Sequence, residues 1–152
     1  MASGWRLVSA RYAERAYSGE GARRHGARWN SPGKAVVYVA EYRSLCVLEI
    51  LAHVRTASPA QDYGFVGAKW DDRFVERLSE RQLPDGWRAM PFHPATAEIG
   101  DRWVKEVRSL VLAVPNSIIP SEFNYLINPA HPDFHRVRIG PPERFAFDAR
   151  LL

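Results

Sequence analysis

Apolar and polar residues alternate at several places along the chain, and this pattern predicts short β-strands. The run AVVYVA is rich in β-branched residues, which is typical of a central strand, and SLVLAVP alternates most clearly late in the chain. The closing segment RFAFDARL also alternates and is expected to complete a sheet. The predicted strands are residues 4–9, 35–40, 63–70, 74–78, 109–115 and 144–151.

Two segments have the apolar spacing of helices. Ser44 is predicted to cap a helix over residues 45–54, and Thr96 is predicted to cap a helix over residues 97–109. Residues 10–34 contain the turn signal Asn-Ser-Pro-Gly and are predicted to form a loop with one helical turn. The apolar stripes are Leu45, Leu48 and Ala52 in the first helix and Ile99, Trp103 and Val107 in the second.

Strands and helices are interspersed and often joined by hairpin-length connections, so the sequence predicts a mixed α+β fold. The chain is expected to form one domain over residues 1–152, because its 46% hydrophobic and 25% charged content is ordinary for a globular protein. No apolar run approaches the roughly 20 residues of a membrane helix, and the N-terminal segment lacks the apolar core of a signal peptide. The one cysteine, Cys46, excludes an internal disulfide and indicates a reducing cytoplasm.

Glu49 is the polar residue that fits its surroundings least, because it lies among Leu48, Ile50 and Leu51. A carboxylate is costly to bury without a partner, so Glu49 needs a polar neighbour or must face a cleft. Helical spacing places it on one face with Cys46 and His53. The alternative is an ordinary surface carboxylate, but the helix has few other polar positions, so its exposed face would be narrow.

The first 34 residues of the chain are basic and rich in glycine. Residues 1–34 hold seven Arg and Lys residues against two Glu residues, a net charge of +5 within a chain of net charge +4. Arginine and glycine together suit phosphate binding, and Arg28 stands out between small residues at the end of the loop. A flexible basic arm and a nucleic-acid surface are the alternatives, although the charge excess is small for the latter.

Other candidate chemistry in the sequence is weaker. The five histidines show no strong zinc-binding spacing, and Pro132 separates the pair His131 and His135. Cys46 with His53 is a conceivable nucleophile and base, but a lone cysteine is more often a packing residue. Tyr38, taken by itself, is expected to be a core tyrosine.

Four segments carry a resemblance to a known family: GARWNSPGKAVVYVAE, LEILAHV, VPNSIIPSEFNYLINPAHPDF and RFAFDARL. Together they span nearly the whole chain, and it resembles the RES-domain family of bacterial toxins, which are encoded beside Xre-type antitoxins. The resemblance implies a fold like the ADP-ribosyltransferases of the diphtheria-toxin type, with a central split β-sheet and flanking helices. It also implies NAD⁺ as the substrate, with no other cofactor and no metal.

The resemblance also implies roles for particular residues. The family's glutamate falls on Glu49, where it would stabilise positive charge on the ribose, and its serine falls on Ser121, which would position the attacking group. Arg28 would grip the pyrophosphate, and Tyr38 would stack on nicotinamide or its ribose. The alternatives are that Ser121 caps a helix and that Asn128 forms a turn before Pro129. The residues expected at the site are Glu49, Arg28, Tyr38, Ser121, Arg6 and Asn128.

The function implied by the resemblance is that of a toxin that cleaves the nicotinamide–ribose bond of NAD⁺ and arrests bacterial growth. Water or phosphate would accept the ribosyl group. Two alternatives remain at this point: transfer of ADP-ribose to a cellular protein, and a non-enzymatic nucleic-acid-binding module. The expected partner is an Xre-family antitoxin that blocks the active site and contacts nucleic acid itself. A homodimer within a larger toxin–antitoxin complex is left open.

Overall fold

The computed structural model describes residues 1–53 and 61–152. Three α-helices and eight strands lie in this part of the chain, together with short 3-10 turns. The helices are α1 (Glu20–His25), α2 (Arg43–Ala52) and α3 (Pro94–Glu106). The strands are β1 (Ala2–Ser9), β2 (Val37–Ala40), β3 (Tyr63–Trp70), β4 (Val75–Arg77), β5 (Val111–Pro115), β6 (Phe123–Ile127), β7 (Arg138–Ile139) and β8 (Glu143–Phe145).

The strands form one sheet in the order β4-β5-β6-β2-β1-β3-β7, and β8 pairs with β3 beside β7. Strands β4 and β5 run parallel, and the other neighbouring pairs in the described chain are antiparallel. The mixed sheet and its few flanking helices confirm the predicted α+β class. In the described residues, no helix has both the length and the apolar content to cross a membrane.

The sheet divides between β1 and β2. The described strands meet there at the pair Trp5–Ala40, whereas β1 pairs with β3 along its whole length, Ala2–Ser9. Arg6 Nη1 donates a 2.7 Å hydrogen bond to the carbonyl oxygen of Tyr38 across this divide. Because a backbone carbonyl that leaves a ladder needs another donor, Arg6 takes the place of a strand partner there. The predicted split sheet is therefore present.

Strand β5 is buried along its whole length, Val111–Pro115, which explains its regular apolar alternation. Its residues Val111 and Ala113 belong to the cluster on one face of the sheet, and Leu112 and Val114 belong to the cluster under Trp103 of α3. A third cluster joins Leu45 and Cys46 of α2 to Phe65 of β3 and Ala40 of β2. This last contact fixes α2 beside the divide in the sheet.

The predicted helix caps are wrong in both cases. Helix α2 begins at Arg43 with Tyr42 as its N-cap, so Ser44 lies inside the helix. Helix α3 begins at Pro94 with the side chain of His93 as its cap, because His93 Nδ1 accepts from the backbone N–H of Ala95. Thr96 is instead buried, and its hydroxyl donates to the carbonyl oxygens of His93 and Arg28. A threonine that resembled a cap therefore ties α3 to the loop that carries Arg28.

Other differences concern extent and exposure. Residues 10–34 contain a 3-10 turn at Ala10–Arg15 as well as α1, so they hold more helix than predicted. Leu48 is 40% exposed and does not belong to a buried stripe. Strand β6 was not predicted, and the closing segment contributes only β8 and a 3-10 turn at Ala149–Leu151. Residue 54, the predicted end of the first helix, lies outside the described residues.

Candidate active site

A cleft of about 640 Å³ opens at the divide between β1 and β2. It brings together side chains that are far apart in the sequence: Arg6 from β1, Arg28 from the loop after α1, Tyr38 from β2 and Glu49 from α2. Clefts of this size are the usual sites for small ligands. Four of the six residues predicted at the site therefore line one cavity.

Glu49 is half-buried, and two asparagine side chains hold it. Asn116, at the end of β5, donates from Nδ2 to Glu49 Oε1 at 2.5 Å, and Asn124 of β6 donates from Nδ2 to the same oxygen at 2.9 Å. Asn116 Nδ2 also donates to Asn124 Oδ1 at 2.7 Å. Glu49 is therefore an anchored carboxyl group in the cleft and not a surface carboxylate on a helix.

Opposing influences act on the ionisation of Glu49. Burial raises the pKa of its carboxyl group above the ordinary glutamate value, because a charge is disfavoured away from water. The amides of Asn124 and Asn116 lower the pKa, and the charges of His53 and Arg6 lower it further. The net direction is upward, so burial outweighs these contacts.

Arg28 is fixed by the loop that precedes α3. Its Nη1 donates to the carbonyl oxygens of Trp87 and Ala89 at 2.8 and 2.9 Å, and its Nη2 lies 3.3 Å from Met90 Sδ. Its guanidinium lies 4.8 Å from the centre of the Phe92 ring, within cation–π range. Burial lowers the pKa of Arg28, but arginine remains charged at neutral pH. A positive charge is thus held at one wall of the cleft.

Tyr38 links β2 to the loop that contains Arg28. Its hydroxyl donates to Asn30 Oδ1 at 2.7 Å and accepts from the backbone N–H of Trp29 at 3.0 Å. Burial raises the pKa of this phenol above its ordinary value, so the hydroxyl keeps its proton at neutral pH. Since the oxygen already has two protein partners, the ring is the part of Tyr38 available to a ligand.

Arg6 is the second positive charge in the cleft. Besides its bond to Tyr38, its Nε is buried and has no hydrogen-bond partner among the described residues. Burial lowers the pKa of Arg6, while nearby Tyr17, Cys46 and Glu49 raise it. Arg6 therefore contributes a positive charge close to the Glu49 carboxyl group.

Ser121 and Asn128, the other two predicted residues, do not line the cleft. Ser121 is exposed in the turn before β6, and the segment that it was expected to cap as a helix is a strand. Asn128 is buried, and its Oδ1 accepts from the backbone N–H of Ala130, which is the turn role that the sequence left open. The serine of this segment that does line the cleft is Ser117.

Asn116, which contacts Glu49, and the lining residues Asn124 and Arg88 were not predicted from the sequence. Arg88 lines the cleft, and its Nε donates to the carbonyl oxygen of Ser117 at 2.8 Å. The available signal for Asn116 was its position directly after the apolar segment SLVLAVP. Its approach to Asn124 and Glu49 depends on the pairing of β5 with β6, in which Val114 lies opposite Asn124. A single sequence does not contain this pairing.

Cys46 lines the cleft but is not poised as a nucleophile. Its thiol contacts the carbonyl oxygen of Trp5 at 3.2 Å. Burial raises the pKa of this thiol to about 12, which disfavours the reactive thiolate. Within residues 1–53 and 61–152, no group of three or more His, Cys, Asp or Glu side chains is arranged to hold a metal ion.

The sequence is similar to those of several known proteins. Toxin Res from Yersinia enterocolitica is 35% identical over 148 residues, covering 97% of each chain. Toxin Res from Photorhabdus laumondii is 37% identical over 150 residues, covering 97% of this chain and 96% of that protein. A protein from a Sphingobium species named Prs ADP-ribosylating toxin is 34% identical over 153 residues, covering 97% of this chain and 95% of that protein.

The fold is also similar to a solved structure. A chain in the crystal structure of the M. tuberculosis MbcT–MbcA toxin–antitoxin complex superposes with a TM-score of 0.79 and 19% sequence identity. The match covers 95% of this chain and 84% of that chain, so the architecture is shared despite the low identity. The RES domain family matches residues 4–148, nearly the whole sequence. The chain therefore belongs to the RES domain family.

Proposed function

We propose that this protein is the toxin of a bacterial toxin–antitoxin pair and that it cleaves NAD⁺ at the nicotinamide–ribose bond. The observation that carries the proposal is the position of Glu49, a half-buried carboxyl group that lines the same cleft as Arg6, Arg28 and Tyr38. The relatives of this protein that are named Toxin Res support the toxin assignment. A dinucleotide supplies a chemical partner for each of these side chains.

The reaction requires stabilisation of positive charge. As the bond from ribose to nicotinamide breaks, its electron pair stays with nicotinamide, which leaves as a neutral molecule, and the ribose becomes oxocarbenium-like. A carboxylate beside the ribose stabilises this charge, as it does in glycosidases. Because the leaving group departs neutral, no acid is needed to protonate it. One ionised carboxylate, Glu49, is therefore sufficient for this step.

Arg28 and Arg6 suit the other end of the substrate. The pyrophosphate of NAD⁺ is anionic, and a guanidinium binds phosphate oxygens through charge-assisted hydrogen bonds. Arg28 is held by the Trp87 and Ala89 carbonyl groups, so its position is largely set before a ligand arrives. Arg6 would assist it. The Tyr38 ring would pack against nicotinamide or its ribose, because its hydroxyl is already bonded to Asn30.

The acceptor completes the reaction. In hydrolysis, water adds to the ribose carbon and a proton is released, giving ADP-ribose and nicotinamide. In phosphorolysis, inorganic phosphate adds at the same carbon. Ser117 lines the cleft, and its carbonyl oxygen accepts from Arg88. Its hydroxyl is the candidate to orient the acceptor. Ser117 takes over the role first expected of Ser121.

Transfer of ADP-ribose to a protein is the second candidate function. It is favoured by the relative named Prs ADP-ribosylating toxin, which is 34% identical to this chain. The two activities share bond cleavage at the ribose and differ only in the acceptor. A nucleic-acid-binding role has less support, because Arg6 and Arg28 line the cleft, and Arg23 and Arg24 contact Glu20.

The toxin proposal includes a protein partner. The fold is shared with a chain of a toxin–antitoxin complex, and the RES resemblance points to an Xre-family antitoxin. Such an antitoxin would silence the enzyme by covering the cleft that contains Glu49. Mixing the purified partner with the toxin should suppress NAD⁺ cleavage in proportion to complex formation.

Product analysis tests the proposed activity. Purified protein is incubated with NAD⁺, with and without inorganic phosphate, and nicotinamide, ADP-ribose and its 1-phosphorylated form are separated by chromatography. Release of free nicotinamide with one of these sugar products supports NAD⁺ cleavage. Mass spectrometry of a treated lysate detects proteins that gain ADP-ribose. Absence of nicotinamide release with phosphate, without phosphate and in the lysate would contradict the proposal.

A further inference from the structure

The side chain of Asn116 is completely engaged by the protein. It is 1% exposed, and its Oδ1 accepts from the backbone N–H groups of Ile118 and Ile119 at 2.8 and 2.9 Å. Its Nδ2 donates to Glu49 and to Asn124. The two backbone donors fix which side of the amide is oxygen. Nδ2 therefore faces Glu49 and can act only as a donor toward it.

Asn124 completes the arrangement. Its Oδ1 accepts from Asn116, so its own Nδ2 is turned toward Glu49 and, at longer range, toward the carbonyl oxygen of Val39. Both amides thus direct N–H groups to Glu49 Oε1. An oxygen that accepts two N–H bonds is unlike a protonated carboxyl oxygen, which would have to donate. Oε1 is consequently held as an acceptor, and Oε2 is the oxygen left for the substrate.

We propose that Asn116 and Asn124 are positioning residues that favour the ionised form of Glu49 against burial and present its Oε2 to the ribose. Burial alone would favour the neutral acid, which cannot stabilise a ribosyl cation. The amides oppose burial without adding a charge to the cleft. The kinetic part of this inference rests on the proposed function, whereas the effect on Glu49 itself does not.

Other groups that face Glu49 are few in the described chain. Arg6 approaches from β1, and His53 and Cys46 approach from α2, where His53 favours the ionised carboxylate. From the β5–β6 side, the neighbours that contact Glu49 are the two neutral amides. Replacement of one amide by an acid therefore changes the charge on that side alone.

The test uses Asn116→Asp, which keeps the size of the side chain and the acceptor for Ile118 and Ile119. Glutamate side-chain carboxyl carbons are labelled with ¹³C, and the Glu49 signal is assigned by its loss in Glu49→Gln. A carboxylate next to Glu49 should raise the pKa of Glu49 by roughly 1–3. The acid limb of the NAD⁺ cleavage profile should move upward with it. Gln82→Glu, the same exchange on an exposed side chain, should change neither.

Two additional measurements keep the inference testable if Asn116→Asp does not fold. In the wild-type protein, the Nδ2 proton signals of Asn116 should shift with pH along the Glu49 titration, and this shift should vanish in Glu49→Gln. Asn124→Asp should raise the pKa of Glu49 in the same direction. An Asn116 amide signal that ignores the Glu49 titration, or a Glu49 pKa that is unchanged in either folded aspartate variant, would overturn the inference.

The positioning role of the two asparagines and the proposed function can fail independently of each other. The carboxyl and amide titrations need no NAD⁺ and report only on Glu49 and its neighbours. If wild-type protein left NAD⁺ intact while the titrations behaved as expected, the positioning role would stand and the proposed reaction would fall. If NAD⁺ were cleaved but the titrations showed no coupling, the reverse would hold.

Discussion

The hydroxyl of Tyr38 donates a 2.7 Å hydrogen bond to Oδ1 of Asn30, and this bond joins strand β2 to the loop that carries Arg28. Asn30 is 1% exposed, and its Nδ2 donates to the carbonyl oxygens of Ala22, Ser31 and Lys34. The amide therefore organises the whole loop around one tyrosine hydroxyl. Tyr38 lines the cleft, and its hydroxyl stabilises the cleft wall through hydrogen bonds to Asn30 and Trp29.

Tyr38→Phe should destabilise the protein, because it leaves Asn30 Oδ1 and the N–H of Trp29 without this partner. A buried group that loses its hydrogen bond costs about 1–3 kcal/mol. Urea unfolding measures the change, and Tyr12→Phe, an exposed tyrosine, is the matched control. Equal stability of the two variants would show that the Tyr38 hydroxyl is not an anchor.

Arg28→Lys should weaken NAD⁺ binding while keeping the charge. A lysine cannot bond both loop carbonyls and lie over Phe92 in one geometry. Loss of a charge-assisted hydrogen bond of about 1.5–3 kcal/mol corresponds to roughly 10-fold or more in Kd. Calorimetry with the wild type and with Arg24→Lys, an exposed arginine, provides the comparison. Unchanged affinity in Arg28→Lys would remove Arg28 from the binding site.

Gly100→Ala tests the contact between α3 and the Arg28 loop. A Cβ at this position would overlap the carbonyl oxygen of Trp29, so helix and loop would have to separate. Overpacking of this kind costs about 1–3 kcal/mol or more. Gly21→Ala in α1, where a Cβ meets nothing within 4 Å, should be neutral or slightly stabilising. Thermal unfolding that ranks the two variants equally would contradict the contact.

The pH dependence follows from the raised pKa of Glu49. The ionised form is the active one, so activity should fall as pH drops through a pKa above the ordinary glutamate range. Stability has the opposite sign: the folded state binds the proton more tightly, so this contribution is complete below the unfolded pKa and is lost as pH rises through the folded pKa. Glu49→Gln should therefore gain stability relative to wild type as pH rises from acid to neutral. A difference in unfolding free energy that is independent of pH would contradict the raised pKa.

Part of the site was predictable because its residues break local patterns. Glu49 interrupts an apolar helix and Arg28 stands in a glycine-rich loop, so each needed an explanation that its neighbours did not supply. The alternation of β5 was clear for a similar reason, since both faces of the strand are buried against different clusters. Such features are local, and a single sequence contains them.

The rest depends on contacts between distant segments. Ser117 and Ser121 are four residues apart, and only the turn in which Asn116 accepts from Ile118 and Ile119 decides which serine reaches the cleft. Strand β6 was missed because its segment is framed by turn residues, although pairing with β2 and β5 makes it central. Thr96 resembles a helix cap in the sequence, because its partner, the carbonyl of Arg28, is 68 residues away.

Cleavage of NAD⁺ by wild-type protein and by Glu49→Gln is the most direct measurement, with release of nicotinamide as the signal. The glutamine keeps an acceptor for the amides of Asn116 and Asn124, so the variant should fold, as circular dichroism would verify. Without the carboxylate, nicotinamide release should fall by about 10²-fold or more. A folded Glu49→Gln protein that releases nicotinamide at the wild-type rate would show that this carboxyl group does not carry the reaction.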